Sequence, residues 1–130
     1  MAAAENAALV RGIFDAFARK QGFALRDVFA ADAVWVVPGD GVMAGTFAGR
    51  EAIFRFLTRL PKETGGTYSS RLIDVLASDA RAAALYRATG ERDGRTLDIE
   101  QVLLFRIEQG LVQEVLALPS DPAAFAAFWS

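Results

Sequence analysis

The stretch that decides the fold is ARAAALYRATGERDGRTLDIEQVLLFRIEQGLVQEVLAL, residues 80–118. The pairs Asp93-Gly94 and Gln109-Gly110 are typical of tight turns between antiparallel strands, and Ser78-Asp79 is a further turn signal just before them. The segments between these turns are rich in apolar and β-forming residues and predict strands of one antiparallel meander. The predicted strands are 67–77, 80–91, 96–107 and 111–118.

In the half of the chain before this meander, the apolar residues recur with the period of a helix. Val10, Ile13 and Phe17 recur at the spacing of one helix face, and Asp121-Pro122 near the other end is typical of a helix N-cap followed by proline. We therefore expect a short terminal helix after Asp121. The remaining predicted elements are a helix over 5–20, a short helix over 24–30, a strand over 33–37, a loop over 38–48 and a third helix that opens at 49–51 and ends at Pro61. Helices followed by an antiparallel sheet predict the α+β class.

Composition limits the possible functions. The chain has 130 residues, which fits a single domain over 1–130. It has no histidine and no cysteine, which excludes the commonest general base, thiolate nucleophiles and the commonest metal ligands, and we predict no metal site. The net charge of −2 without a basic run predicts no nucleic-acid or membrane partner. No apolar run reaches the roughly 18 residues of a membrane span, and the first residues lack a secretion signal, so we expect a cytoplasmic location.

The strand over 96–107 contains one polar exception. If Leu97 and Leu103 face the core, Gln101 shares their face because the period of a strand is two. A buried amide needs partners, so Gln101 should bond another side chain, water or a ligand. The same strand is also apolar on its other face, which predicts that a second copy of the chain covers the sheet.

Several motifs in this order resemble the SnoaL-like and ketosteroid-isomerase-like proteins of the nuclear transport factor 2-like superfamily. They are W-x-V-P-G at 35–39, A-G-x-x-x-G-R-E-A-I at 44–53, T-G-G-T-Y at 64–68, D-V-L-A at 74–77, G-R-x-L-D at 94–98, F-R-I-x-x-G at 105–110 and F-W-S at 128–130. The resemblance implies a cone-shaped, curved antiparallel sheet wrapped around a long N-terminal helix, the cystatin-like α+β roll. It also implies a pocket at the open end of the cone and a homodimer formed through the sheet.

The acid and base groups of the ketosteroid isomerases do not carry over by this resemblance. The positions that match their base, tyrosine and second acid are Val37, Phe14 and Leu103, all apolar. The acid of the cyclases falls near Asp121, for which the helix cap is the favoured interpretation. Close relatives carry a tryptophan near Leu116, where this chain is also apolar.

Other catalytic and cofactor patterns fail on spacing. Arg95 and Asp98 are the nearest match to an epoxide-hydrolase set, but an odd spacing places them on opposite strand faces. Asp98 and Glu100 share a face, and a cross-strand ion pair with Arg71 or Arg87 is favoured over metal binding. The glycine-rich stretch 39–45 lacks the parallel βαβ unit of a dinucleotide site, so we predict no cofactor.

The sequence therefore predicts a pocket that binds a small apolar molecule, such as a polyketide, a steroid-like compound or a fatty compound. Two alternatives stay open: an isomerase, cyclase or lyase that uses a tyrosine or carboxylate, and a homodimeric interaction module without a ligand. The candidate catalytic residues are Tyr86, Gln101, Asp40 and Asp121. The predicted pocket-lining residues are Phe14, Phe17, Trp35, Val37, Met43, Phe54, Leu57, Tyr68, Tyr86, Gln101, Leu103 and Leu116.

Overall fold

A computed structural model describes residues 2–130, apart from the side chain of Phe23. Over these residues the chain forms three α-helices, one 3-10 helix and six strands, which confirms the α+β class. The elements are α1 (Ala2–Ala18), the 3-10 helix (Gly22–Val28), β1 (Phe29–Val37), β2 (Gly45–Ala48), α2 (Arg50–Glu63), β3 (Ser69–Ala77), β4 (Arg81–Arg92), β5 (Arg95–Glu108), β6 (Leu111–Pro119) and α3 (Pro122–Trp129).

The strands of residues 2–130 form one curved sheet in the order β2-β1-β6-β5-β4-β3. The predicted meander is confirmed, because β3, β4, β5 and β6 pair in sequence and antiparallel. The first strand joins the meander differently. It pairs antiparallel with β2 but parallel with β6, so the sheet is mixed at that one position. The pairing of β1 with β6 places the first and last strands of the chain side by side.

The predicted loop over 38–48 was wrong in its second part, where β2 lies. Thr46 and Phe47 are good strand formers, and Phe47 pairs with Trp35 across β1 and β2. The Phe47 ring also packs 4.5 Å from the ring of Phe56 on α2. These contacts extend the sheet by one short strand. The turn-forming residues before it had led to the prediction of a loop.

Two helix boundaries also differ from the prediction. Pro61 does not end α2 but lies inside its last turn, and the helix continues to Glu63. Proline near the end of a helix removes only one backbone donor, and the hydroxyl of Thr64 donates to the carbonyl of Leu60 at 2.7 Å. The predicted helix over 24–30 is a 3-10 helix that ends at Val28, so β1 begins at Phe29 instead of residue 33.

Helix α1 packs against the concave face of β3 and β4. Its apolar face is the predicted one, and Val10 and Ile13 are completely buried. The facing strand β4 carries small residues, Ala82, Ala84 and Ala88, on the same inner face as Tyr86. Small side chains on the strand allow the helix to approach the sheet closely, and they leave Tyr86 as the one large group in that row.

Helix α3 covers one end of the curved sheet. The Asp121 carboxylate accepts a hydrogen bond from the Ala124 amide at 3.0 Å, which confirms Asp121 as the N-cap. Phe128 and Trp129 are almost fully buried, and the Trp129 carbonyl accepts from the Val42 amide at 2.8 Å. The helix is therefore fixed at both ends. Within residues 2–130, no helix combines the length and apolar character needed to cross a bilayer.

Candidate functional site

The centre of the candidate site is a pair of side chains on the concave face of the sheet. Tyr86 on β4 and Gln101 on β5 are directly opposite in the strand register. The Gln101 Nε2 group donates a hydrogen bond of 2.6 Å to the Tyr86 hydroxyl. Gln101 is buried in the same row as Leu97 and Leu103, which confirms the face predicted from the strand period.

The amide oxygen of Gln101 has no hydrogen-bond partner. Gln101 Oε1 is buried and makes no hydrogen bond. Trp35 Nε1, a donor, is the other buried side-chain atom without a partner among the described residues. Most buried polar atoms in proteins are paired, so an unpaired one marks a position of interest.

Tyr68 and Ser70 extend the polar cluster along the first strand of the meander. Tyr68 precedes β3 and lies across from Gly90, where a Cβ atom would come within 3.4 Å of the Tyr68 Cα. Glycine at this position lets Tyr68 lie close to β4. Ser70 was not predicted to take part in the site, although the strand period places it two residues from Tyr68 and on the same face.

Burial raises the pKa of both phenols. For Tyr68, hydrogen bonds from Ser70 and Tyr86 offset part of this increase. For Tyr86, burial and the nearby Tyr68 raise the pKa well above 10, and only the hydrogen bond from Gln101 acts in the opposite direction. Both phenols are therefore neutral hydrogen-bonding groups near pH 7, because a phenolate would be poorly solvated there.

Several aromatic side chains lie around Trp35, whose Nε1 is the second unpaired atom. The Trp35 ring packs 5.5 Å from Phe56 and 6.3 Å from Phe29, and Phe54 lies 6.2 Å from Phe29. Near Tyr86, the Phe14 ring lies at 5.1 Å. Among the described residues, the interior thus has two unpaired polar side-chain atoms, Gln101 Oε1 and Trp35 Nε1.

The other predicted lining residues divide into three groups. Val37, Met43 and Leu103 are buried, and Phe17 and Leu57 are half-buried and pack against the same core. Leu116 was wrongly placed in the pocket. Val115 and Ala117 are the buried residues of that part of β6, so Leu116 faces the outer side of the sheet.

Two of the candidate catalytic residues lie outside the interior. Asp40 is exposed in the loop after β1. Asp121 is exposed and is used as the helix cap. Neither carboxylate lies among the buried residues of the interior. Tyr86 and Gln101 are the candidates that the structure brings together.

The cross-strand ion pair expected on the outer face is present. The Arg87 guanidinium donates to the Asp98 carboxylate at 2.6 Å and lies 3.8 Å from Glu100. Among the described residues there is no cluster of three or more metal-ligating side chains. Asp98 is thus committed to Arg87 and not to Arg95.

The interior contains no ionised side chain. All 16 Asp and Glu residues and all 14 Lys and Arg residues of the sequence belong to the described part of the chain. Each of them is exposed or half-buried. Val37, Phe14 and Leu103, the positions that the resemblance matched to the ketosteroid-isomerase groups, are buried and apolar.

Two clefts on the surface are poorer candidates. One, of about 490 Å³, lies at the turn between β4 and β5, where Arg92 and Arg95 donate to the carbonyl groups of Phe128 and Ser130. The other, of about 430 Å³, lies beside the start of α1, where the Asn6 amide donates to the carbonyls of two turn residues, Ser78 and Asp79. The polar side chains of both clefts thus bond to the backbone of the chain and hold neighbouring segments together.

Comparison with known proteins places the chain in a family. The model of the SnoaL-like domain matches residues 10–115, and the chain belongs to that family. Rv0034, an uncharacterised protein of Mycobacterium tuberculosis, is 34% identical over 123 residues, which is 94% of each protein.

Solved structures confirm the fold that the motifs predicted, which is nuclear transport factor 2-like or cystatin-like. Bal32a, from a soil-derived mobile gene cassette, matches with a TM-score of 0.95 and 36% identity over 100% of both chains. TerC, which was co-crystallised with polyporic acid, matches with a TM-score of 0.82 over 95% of this chain and 97% of its own. At 19% identity, that likeness concerns the fold alone.

The alkaline titration of the two tyrosines tests the burial of the polar cluster. Both phenols have a native pKa above the ordinary value of 10.0. Their contribution to stability is therefore complete below pH 10 and is lost as the pH rises through the higher native values. We expect the phenolate absorbance to appear only well above pH 10 and together with unfolding measured by circular dichroism. A midpoint near pH 10 for either tyrosine in the folded chain would contradict this, with the denaturant-unfolded chain as the reference.

Proposed function

We propose that this chain binds a small, largely apolar molecule inside the curved sheet, with a polar group of that molecule at Gln101. The observation that carries the proposal is the buried Gln101 Oε1, which has no partner although the amide nitrogen beside it is paired. A buried acceptor without a partner costs about 1–3 kcal/mol of stability. Local costs of this kind are expected mainly where function requires them.

The surroundings of Gln101 support an apolar body for the ligand. Phe14, Ala88 and Leu103 are buried on the same side of the sheet and carry no polar side-chain atoms. Trp35 Nε1 offers an unpaired donor elsewhere in the interior, which an acceptor oxygen of the ligand could satisfy. The polyketide, steroid-like and fatty molecules expected from the sequence therefore stay the proposed ligand classes.

Entry of a ligand requires side chains to move. Phe14, Tyr86 and Trp129 are each only 3% exposed, so the interior is closely packed around the polar pair. The co-crystallisation of TerC with polyporic acid concerns TerC itself, and its likeness to this chain is one of fold. An isomerase, cyclase or lyase using a carboxylate is not proposed, because the carboxylates of this chain lie outside the interior.

We also infer that a second copy of the chain covers the outer face of the sheet. The centre of that face is apolar and consists of the side chains of Val36, Val102, Leu104, Leu116 and Leu118, the last of which is 47% exposed. Around it lie charges of both signs, including Arg87, Asp98 and Arg106. A patch with an apolar centre and a rim of both signs can complement itself across a twofold axis, which favours a second copy over a partner of one charge.

Binding can be tested with N-phenyl-1-naphthylamine, an uncharged dye whose emission increases in apolar surroundings. We expect one dye per chain by native mass spectrometry and by titration. The Ala88→Leu variant adds volume beside Tyr86 and should weaken dye binding at least about tenfold, because the added side chain occupies the region that a bound molecule would have to enter.

The matched control is Ala126→Leu, at an exposed position of α3, which should bind the dye like the unaltered chain. Circular dichroism establishes that both variants are folded. The proposal is wrong if the unaltered chain binds no dye, or if folded Ala88→Leu binds as tightly as Ala126→Leu.

The assembly can be tested by size-exclusion chromatography with light scattering. We expect a mass of twice the 14.0 kDa chain. Leu104→Arg places an unpaired charge at the centre of the outer face and should yield a monomer, whereas Val42→Arg, in the loop away from the sheet, should remain dimeric. A monomeric unaltered chain at high concentration would refute the inferred dimer.

A further inference from the structure

We propose that the molecule bound at Gln101 is uncharged and donates a hydrogen bond to Gln101 Oε1 from a hydroxyl or N–H group. This inference rests on the proposed function and narrows its ligand class. It follows from two properties of the site: which hydrogen-bonding valence of the amide is free, and which charges can reach it.

The free valence is set by the hydrogen bond that the amide already makes. Tyr86 and Gln101 are directly opposite on β4 and β5, and Gln101 Nε2 donates to the Tyr86 hydroxyl oxygen at 2.6 Å. The atom left without a partner is then the acceptor Oε1, and only a donor group of the ligand can satisfy it.

The charge of the ligand follows from the side chains around the interior. A carboxylate ligand would place a negative charge beside the Gln101 carbonyl oxygen, and no cation is available to balance it. The Arg92 side chain is 9% exposed and is already bound to Glu63 and to the carbonyls that end α3. The half-buried Arg50 donates to the Phe29 carbonyl. An ionised group buried without a counter-charge costs much more than a neutral hydroxyl. Fatty acids in their ionised form are therefore excluded, and alcohols, phenols and amides are favoured.

Steric surroundings restrict the donor further. The Phe14 ring at 5.1 Å from the Tyr86 ring and the inner-face residues Leu97 and Leu103 on either side of Gln101 offer only apolar contact. A hydroxyl attached directly to an apolar or aromatic body matches this environment, because a polar substituent placed against these apolar side chains would lack a partner.

Three naphthalene probes of nearly the same shape test the inference by calorimetry at pH 7. 2-Naphthol is a neutral donor, 2-methoxynaphthalene has no donor, and 2-naphthoate is an anion. We expect 2-naphthol to bind about tenfold or more tightly than the ether, since a hydrogen bond to a buried acceptor is gained, and we expect no detectable binding of the carboxylate.

Variants of the amide assign the difference to Gln101. In Gln101→Leu, and in Gln101→Met if the leucine variant does not fold, the advantage of 2-naphthol over the ether should fall to about one. Gln113 on β6 provides the matched control, because its amide contacts only the nearby Leu111 carbonyl. Gln113→Leu should leave the advantage of 2-naphthol unchanged.

The outcomes separate this inference from the proposed function. Equal binding of 2-naphthol and the ether, as expected if Gln101 Oε1 served only to hold a water molecule, overturns the inference and leaves the proposed function standing. Tight binding of 2-naphthoate, or an advantage of 2-naphthol that persists in Gln101→Leu, also overturns it. If neither the dye nor any naphthalene probe binds, the proposed function fails together with the inference.

Discussion

The hydrogen bond from Gln101 to Tyr86 is the interaction on which the account of this molecule depends. It joins two neighbouring strands on the inner face of a curved sheet, at 2.6 Å, in surroundings that are otherwise apolar. Inside a protein such a bond orients both groups, and it makes any remaining unpaired atom costly. The orientation of the amide leaves Oε1 free, and the proposals about the ligand and its donor group both follow from that one free valence.

The surroundings of this bond are apolar. Val37, Phe14 and Leu103, the positions that the resemblance to ketosteroid isomerases assigns to a base, a tyrosine and a second acid, are all buried here. The two phenols that lie in the interior, Tyr68 and Tyr86, have a raised pKa and so act as neutral hydrogen-bonding groups. The proposal of ligand binding therefore relies on shape and on neutral hydrogen-bonding groups, because the described carboxylates are exposed or half-buried.

The sequence predicted the parts of the fold and site that depend on local patterns. The strand period placed Gln101 on the inner face, and the Asp121-Pro122 pair located the start of α3. The errors arose where tertiary contacts outweigh local signals. Strand β2 follows a glycine-rich loop and is held by the pairing of Phe47 with Trp35, and the parallel pairing of β1 with β6 joins segments that are distant in sequence. Leu116 was assigned from the family pattern, although alternation along β6 would have placed it outside. The two unpaired atoms depend on side-chain orientation, which sequence periodicity does not specify.

A double-mutant cycle on the Tyr86–Gln101 pair tests the central claim most directly. The free energy of unfolding would be measured in urea for Tyr86→Phe, Gln101→Leu and the double variant. The account predicts that Tyr86→Phe costs about 1–3 kcal/mol alone, because it leaves both ends of the Gln101 amide buried without a partner. The same change should cost at least about 1 kcal/mol less when Gln101 is already leucine. Effects that add to within roughly 0.3 kcal/mol would mean that the two side chains do not interact, and would contradict the account.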